Sequence, residues 1–187
     1  MTPVGYYKIN IPVADAANAE LAISKKSQGP AWGSMVSQYV SPILDVKQAK
    51  MPEISVSKAV YVVADSPEAT VKGASELKVG QKVRVTLTIS TTRDMDYVAV
   101  TDSRSACLEP ADQTSGYTSS DGLWFYREVR DESTNLFIGF LPKGTHVISY
   151  DCYVDRQGAY SLGIATVQSQ YAPQMVAHSA GKLITVK

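Results

Sequence analysis

Two histidines, His146 and His178, and two cysteines, Cys107 and Cys152, are the first places to look for chemistry among 187 residues. A Ser/His/Asp hydrolase needs a histidine beside its nucleophile, usually with a Gly-x-Ser-x-Gly elbow to present the serine, and the elbow is absent. His146 opens the strand-like run Gly144-Thr145-His146-Val147, and His178 sits in Ala177-His178-Ser179. Both read as strand or loop residues. Cys107 lies in Ser105-Ala106-Cys107-Leu108-Glu109-Pro110, with acidic flanks and no expected helix N-terminus to lower its pKa, so nothing there activates a thiolate. Two cysteines and two dispersed histidines do not make a zinc site. Cys107 and Cys152 are therefore either a disulfide, where the compartment is oxidising, or two buried thiols.

The carboxylates are equally sparing. Arg127-Glu128-Val129-Arg130-Asp131-Glu132 holds enough acid groups for a glycosidase pair, but basic and acidic residues alternate there as in a solvated hairpin turn with local ion pairs. Asp94, Asp96 and Asp102 suggest a calcium site, yet the spacing, loop glycine and terminal glutamate of an EF-hand are missing. No glycine-rich phosphate loop occurs. Trp124-Phe125-Tyr126 admits two readings. In a strand, Phe125 faces one side and Trp124 and Tyr126 the other, so the cluster is either core packing, the simpler reading, or a stacking platform for sugars. The expectation is no catalytic residue, no metal and no cofactor.

The elements that must position these residues are strands. Val83-Arg84-Val85-Thr86-Leu87-Thr88-Ile89 alternates strictly, apolar then polar, as a strand with one wet face does. Further strands are expected at Ile54–Val63, Tyr97–Thr101, Leu123–Val129, Asn135–Leu141, Thr145–Asp155, Gly158–Val167 and Leu183–Val186. Arg130-Asp131-Glu132-Ser133 is expected to turn one hairpin, and Arg156-Gln157-Gly158 to join Thr145–Asp155 to Gly158–Val167. Eleven tyrosines suit pleated, half-buried surfaces. Helical periodicity is weak, and Ala14–Ala22 offers a turn of helix at most. The pattern predicts an all-β fold: an immunoglobulin-like antiparallel β-sandwich with a smaller N-terminal β segment.

Composition sets the outer bounds. Apolar residues make up 44% and charged residues 19%, enough for a packed core. The 18 basic and 18 acidic residues cancel and form no block of like charge, which gives no electrostatic case for nucleic acid or an anionic membrane. No apolar run approaches the roughly 18 residues of a transmembrane helix, and the N-terminus lacks a signal-peptide profile. Met1 opens onto what reads as mid-domain sequence, so the natural protein is expected to extend upstream. The polar, proline-containing stretch Asp45–Glu53 suggests a boundary between 1–49 and 50–187. Residues 1–45 hold three candidate strands, Tyr7–Ile11, Glu20–Lys25 and Ala31–Tyr39, too few to bury a core alone.

A family resemblance accounts for several of these features. Ala106-Cys107-Leu108-Glu109-Pro110, then Gln113 and Ser115-Gly116-Tyr117, resembles a stretch near the C-terminus of bacterial α2-macroglobulin-like proteins. Tyr126-Arg127-Glu128-Val129-Arg130-Asp131 resembles their next hairpin, and Leu141-Pro142-Lys143-Gly144-Thr145 a following turn. Gly158, Tyr160, Tyr171-Ala172-Pro173, His178-Ser179 and Gly181 are similar to the family's ending, and Pro30-Ala31-Trp32-Gly33 with Gln38-Tyr39 to a segment upstream of the last domain. The resemblance implies a C-terminal macroglobulin-like sandwich at 50–187, preceded at 1–49 by the returning strands of a CUB-like domain. It implies a protease trap: a bait region is cut, the shape changes, and the protease is caged or captured by a thioester. This chain has no Cys-Gly-Glu-Gln, and in Cys107-Leu108-Glu109-Pro110 a proline stands where the acyl-donating glutamine belongs. The expected partners are the upstream domains of the same polypeptide, the thioester domain among them, and proteases reached through the whole parent, with no nucleic acid and no direct membrane insertion. The expected location is extracytoplasmic, periplasmic or anchored at the outer membrane through the parent, where a Cys107–Cys152 bond is chemically permitted. The competing expectation, from tyrosine content and Trp124, is a stand-alone extracellular binding module, glycan-binding or adhesive.

Overall fold

Strand chemistry governs the chain in the computed structural model, which describes residues 8–16, 20, 22–26, 28–33, 35–36, 40–63 and 76–187. The strands run β1 (Ile54–Val62), β2 (Glu76–Leu77), β3 (Lys82–Thr91), β4 (Met95–Ser103), β5 (Leu108–Pro110), β6 (Gly116–Ser120), β7 (Leu123–Val129), β8 (Ser133–Leu141), β9 (Gly144–Val154), β10 (Gly158–Ser161), β11 (Ala165–Ser169), β12 (Val176–His178) and β13 (Leu183–Val186). Four form a sheet in the order β1-β3-β9-β5, six form a sheet in the order β12-β11-β4-β8-β7-β6, and a small third sheet runs β10-β13-β2. Pairing is antiparallel except between β13 and β2. Sheets of this kind, each with one apolar face, bury those faces against each other as an immunoglobulin-like sandwich does.

The strict alternation in β3 predicts its orientation correctly. Val83, Val85, Leu87 and Ile89 are buried and share one core with Val98, Val100, Leu136 and Ile138 of the larger sheet. The opposite face of the four-stranded sheet is mostly polar, with Val147 and Tyr153 exposed on it, and is cross-linked between strands. Thr86 and Ser149 hydroxyls lie 3.1 Å apart, Ser90 and Thr145 hydroxyls 2.9 Å apart, and Arg84 donates to Asp151 at 2.7 Å. Arg84 and Lys82 hold the Asp151 carboxyl below its usual range. Pro110 sits in β5 at the sheet's edge, where its missing N–H costs no ladder bond.

One expected hairpin is absent. Gly158–Val167 is not a single strand returning beside β9. It divides into β10, which pairs with β13 in the small sheet, and β11, which pairs with β4 in the six-stranded sheet. The chain changes sheets at Leu162-Gly163-Ile164, where Gly163 takes φ +77°. That left-handed backbone cannot continue a strand.

The chain divides into two compact units, 1–39 and 40–187. Among its described residues the first contains one helical turn, α1 (Val13–Ala16), closed by Asp15 N–H on Pro12 O at 3.0 Å. The three strands expected there fall partly outside the described residues, Tyr7, Leu21, Ser34 and 37–39 among them, and the described parts carry no strand. Within the second unit, the polar stretch before β1 is tied to the sandwich. Ala49 exchanges backbone bonds with His178 at 3.1 and 2.8 Å, Gln48 Nε2 donates to Val56 O at 2.8 Å, and Gly181 N–H donates to Val46 O at 2.8 Å.

Candidate functional site

Alternation along β7 decides which face its aromatics occupy. Leu123 and Phe125 point inward and are buried, so Trp124 and Tyr126 point outward. The core reading therefore holds for Phe125 and fails for Trp124, which is 63% exposed. Register then assembles a surface. Tyr117 of β6 lies opposite Tyr126, and Tyr126 opposite Phe137 of β8. Trp124 stacks parallel to Tyr117 with ring centroids 6.1 Å apart, Tyr117 meets Tyr126 edge-on at 5.2 Å, and Tyr126 lies 6.5 Å from Phe137. Cross-strand aromatic pairs of this kind rigidify one another. Farther along the same sheet, Tyr97 and Tyr171 form an edge-to-face pair at 5.1 Å, with Phe140 exposed on the neighbouring strand. Tyr97 takes φ +51°, and there the inside–outside alternation breaks on β4 and on β8 opposite it. The break puts Asp96 and Tyr97, and Gly139 and Phe140, on the surface in succession. One sheet thus shows a row of exposed rings while the other shows hydroxyls and charges.

The charged hairpin is structural. Arg104 donates through Nη2 to Asp131 O at 2.7 Å and to Arg130 O, and its backbone N–H donates to Glu132 O at 2.8 Å. Arg130 pairs with Glu128 at 2.6 Å, and Arg127 pairs with Asp112 and donates to Thr114 O at 3.1 Å. Glu128 is held below the usual carboxylate range by Arg130 and then by Asn135. These groups pair with one another and with turn carbonyls; Arg127 reaches a small cleft, but no two carboxylates line it as a glycosidase pair would. Asp94 accepts the Lys143 N–H at 2.7 Å in the Pro142-Lys143-Gly144 turn, Asp96 is exposed, and Asp102 is buried elsewhere. Among the described residues no three His, Cys, Asp or Glu side chains gather as metal ligands. A cleft of 130 Å³ between β6, β7 and β9 is well below the few hundred Å³ typical of small-molecule sites.

Cys107 and Cys152 are free and buried. The register excludes the disulfide. Leu108 lies opposite Val154 and Pro110 opposite Cys152, so Cys107 is offset from Cys152 by three residues along paired strands. That offset is about 10 Å at strand rise, beyond the roughly 7 Å a disulfide can span. Burial pushes the Cys107 thiol up and Cys152 up to about 12, so neither is a nucleophile at neutral pH. His146 Nε2 lies 2.8 Å from Pro142 O and His178 Nδ1 lies 3.0 Å from Ser179 O, both in turn or strand-end roles.

Charges within the core are the feature that the search for motifs missed. Lys58 of β1 and Asp102 of β4 face each other across the sandwich with side chains 2% and 0% exposed, Nζ to Oδ1 2.6 Å. Tyr150 of β9 donates its hydroxyl to Asp102 Oδ2 at 2.5 Å. Lys58 Nζ also donates to Ser103 O at 2.7 Å and Leu162 O at 2.9 Å. Burial lowers the Lys58 pKa against the opposing pull of Asp102, and burial followed by the Asp102 charge raises Tyr150 well above 10. A signal was present: Lys58 shares its phase with Val56 and Val60, and Asp102 shares its phase with Val98 and Val100.

A model of the bacterial α2-macroglobulin MG10 domain matches residues 54–174. The chain belongs to that family.

Solved structures agree on the fold. A Salmonella α2-macroglobulin carrying the Y1175G change superposes with a TM-score of 0.61 at 21% identity, over 75% of this chain and 10% of that one. An E. coli α2-macroglobulin fragment from domain MG7 to the C-terminus gives 0.60 at 17% identity, over 75% and 24%. The native E. coli protein gives 0.60 at 16% identity, over 79% and 10%. A stretch of 103 residues is 25% identical to part of the circularly permutated Ras protein 2 of Dictyostelium discoideum, 55% of this chain and 3% of that protein. The chain thus spans about a tenth of the full-length macroglobulins it matches.

Within the MG10 sandwich, the residues singled out by resemblance divide by role. Tyr117 and Tyr126 belong to the aromatic row, and Tyr171 to the Tyr97 pair. Gly116 begins β6, Glu109 and Pro110 form the edge strand, and Arg130 and Asp131 present the carbonyls that Arg104 grips. Pro142 and Gly144 shape the turn into β9, and Pro173 O accepts from Gln168 Nε2 at 2.9 Å. Trp32 and Gly33 are exposed in the first unit.

Proposed function

We propose that this chain is the C-terminal MG10 segment of a longer, extracytoplasmic α2-macroglobulin-like protease inhibitor, in which it is a structural and interaction domain and not an enzyme. The observation that carries this reading is the aromatic row Trp124–Tyr117–Tyr126–Phe137, with Tyr126 half-buried and the other three rings exposed, on a domain whose other broad face is mostly polar. Surface rings in such continuity mark an interaction site. The occupant is an upstream domain of the same polypeptide, since the chain spans about a tenth of its full-length relatives. In the parent the covered face helps shield the thioester domain and gives way when a protease triggers the change of shape. The first unit then belongs to the CUB-like domain before it, and the parent works in the periplasm or anchored to the outer membrane.

The test is made on the full-length parent. Trypsin mixed with it is expected to lose activity toward a large protein substrate while still cleaving a small chromogenic peptide. Amide exchange across β6–β8 is expected to be slower in the parent than in the isolated chain. Undiminished digestion of the large substrate would refute the trap, and equal exchange would refute the docked face.

The stacked Trp124–Tyr117 pair favours a second reading, a glycan-binding surface, because parallel exposed rings suit the apolar face of a sugar. This reading expects the isolated chain to bind on a glycan array, and Trp124→Ala to abolish binding while leaving the β-rich circular dichroism spectrum intact. An array blank for the unaltered chain removes it.

A further inference from the structure

We propose that Lys58 and Asp102 become joined by an intramolecular amide bond, Nζ to Cγ, which staples the two sheets of the sandwich and forms from the folded chain alone. Three features of the pair support it. The partners are enclosed, with Nζ 2.6 Å from Oδ1 and side chains 2% and 0% exposed. Nζ also donates to Ser103 O and Leu162 O, at 2.7 and 2.9 Å. Two of the three donor positions of the nitrogen are thereby held by carbonyls, and the remaining one is turned toward the carboxyl group. A lysine so held, once it gives up that third proton, presents its lone pair to the carboxyl carbon and not to water. Tyr150 donates to the other carboxyl oxygen at 2.5 Å, where negative charge collects as the nitrogen adds.

The step balances without an added reagent. The ammonium passes one proton to the carboxylate, giving a neutral amine and a carboxylic acid, a transfer that a dry, low-dielectric site favours over the separated charges. Burial already lowers the Lys58 pKa. The Nζ lone pair then adds to Cγ. The Tyr150 hydroxyl holds the negative Oδ2 of the tetrahedral carbon, and Oδ1, which carries the first proton, leaves as water with the second proton that Nζ sheds. The Nζ–Cγ bond forms, one Cγ–O bond breaks, one water leaves, and nothing is oxidised or reduced. Ser103 O and Leu162 O hold the nitrogen, and Tyr150 stabilises the oxyanion on Oδ2. Tyr150 also lines a small cleft with Ser149 and Thr118. This inference is independent of the docking role proposed above. A covalent staple between sheets would nevertheless suit a domain that works among proteases.

Mass spectrometry decides the matter on the intact 187-residue chain, held folded and then denatured. The unaltered protein is expected to be lighter by one water than its sequence requires, and a digest is expected to yield one branched peptide joining the β1 and β4 segments through Lys58 and Asp102. Lys58→Met and Asp102→Ala should each show the full mass of their own sequences. Tyr150→Phe should form the bond more slowly, visible as a mixture of the two masses over time, which a bystander tyrosine would not produce. The unaltered chain at full mass, with the two peptides separate, would mean an ion pair only and would overturn the proposal. Because the decisive reading is made on the unaltered chain, it does not depend on whether the variants fold.

Discussion

Asp102→Ala is expected to lower the stability of the sandwich by at least about 3–5 kcal/mol, the usual cost of breaking a buried charge pair. The substitution strands the Lys58 ammonium between two carbonyl oxygens with no anion, and it takes away the acceptor of the Tyr150 hydroxyl. Against a total domain stability of about 5–15 kcal/mol, such a loss leaves the chain marginal or unfolded. Denaturant titration followed by Trp124 emission and by circular dichroism measures it. The informative comparison is the double variant Lys58→Met/Asp102→Leu, which fills the same space with apolar side chains. Replacing both members of a buried ion pair is often close to neutral. With the amide in place, the double variant still loses the loop-closure entropy of a bond joining residues 58 and 102, on the order of 4 kcal/mol by analogy with a disulfide of that span. A double variant as stable as the unaltered chain would therefore mean a plain ion pair, and a single variant of unchanged stability would mean that Lys58 and Asp102 are not buried together at all.

How far these features can be read from sequence depends on the range over which they are encoded. The alternation of Val83 to Ile89 is local, and β3 lies where it predicts. Leu123–Val129 and its turn into the next strand are equally local, and the hairpin forms as expected. The aromatic face was half legible. Phe125 shares its phase with Leu123, and Trp124 shares its phase with Glu128, which places the charge and the indole together on the wet side. What no window of sequence contains is the opposition of Tyr117, Tyr126 and Phe137, because three strands must first come into register. The buried triad fails for the same reason. A lysine in the apolar phase of β1 signals a partner without naming one, and Asp102 and Tyr150 come from two other strands, one in the facing sheet. The cysteines show the converse: two lone cysteines invite pairing, and only the three-residue offset between β5 and β9 forbids it.

Gly163→Ala is expected to destabilise the domain by about 3 kcal/mol or more, although it adds a single methyl group. The left-handed φ of +77° costs a residue with a side chain about 1–2 kcal/mol by itself. The added Cβ would also stand 2.0 Å from Ser103 O, a backbone atom that cannot swing aside as a flexible side chain would. Ser103 O is held twice over: its strand is fixed between β8 and β11, and the oxygen itself accepts from Lys58 Nζ. Leu162, next to Gly163, provides the other carbonyl on that ammonium. The bare α-carbon at 163 thus lets the chain cross from the small sheet to the six-stranded sheet and, in the same place, sets the two acceptors that orient the buried lysine. Two readouts are expected to move together in the variant. The denaturation midpoint should fall, and the share of chains one water lighter than their sequence should drop, since a displaced Ser103 carbonyl no longer turns the nitrogen toward Asp102. A midpoint equal to that of the unaltered chain would show that the crossover yields without strain. A lowered midpoint with undiminished bond formation would show that the geometry at Lys58 is set by β1 and β4 alone.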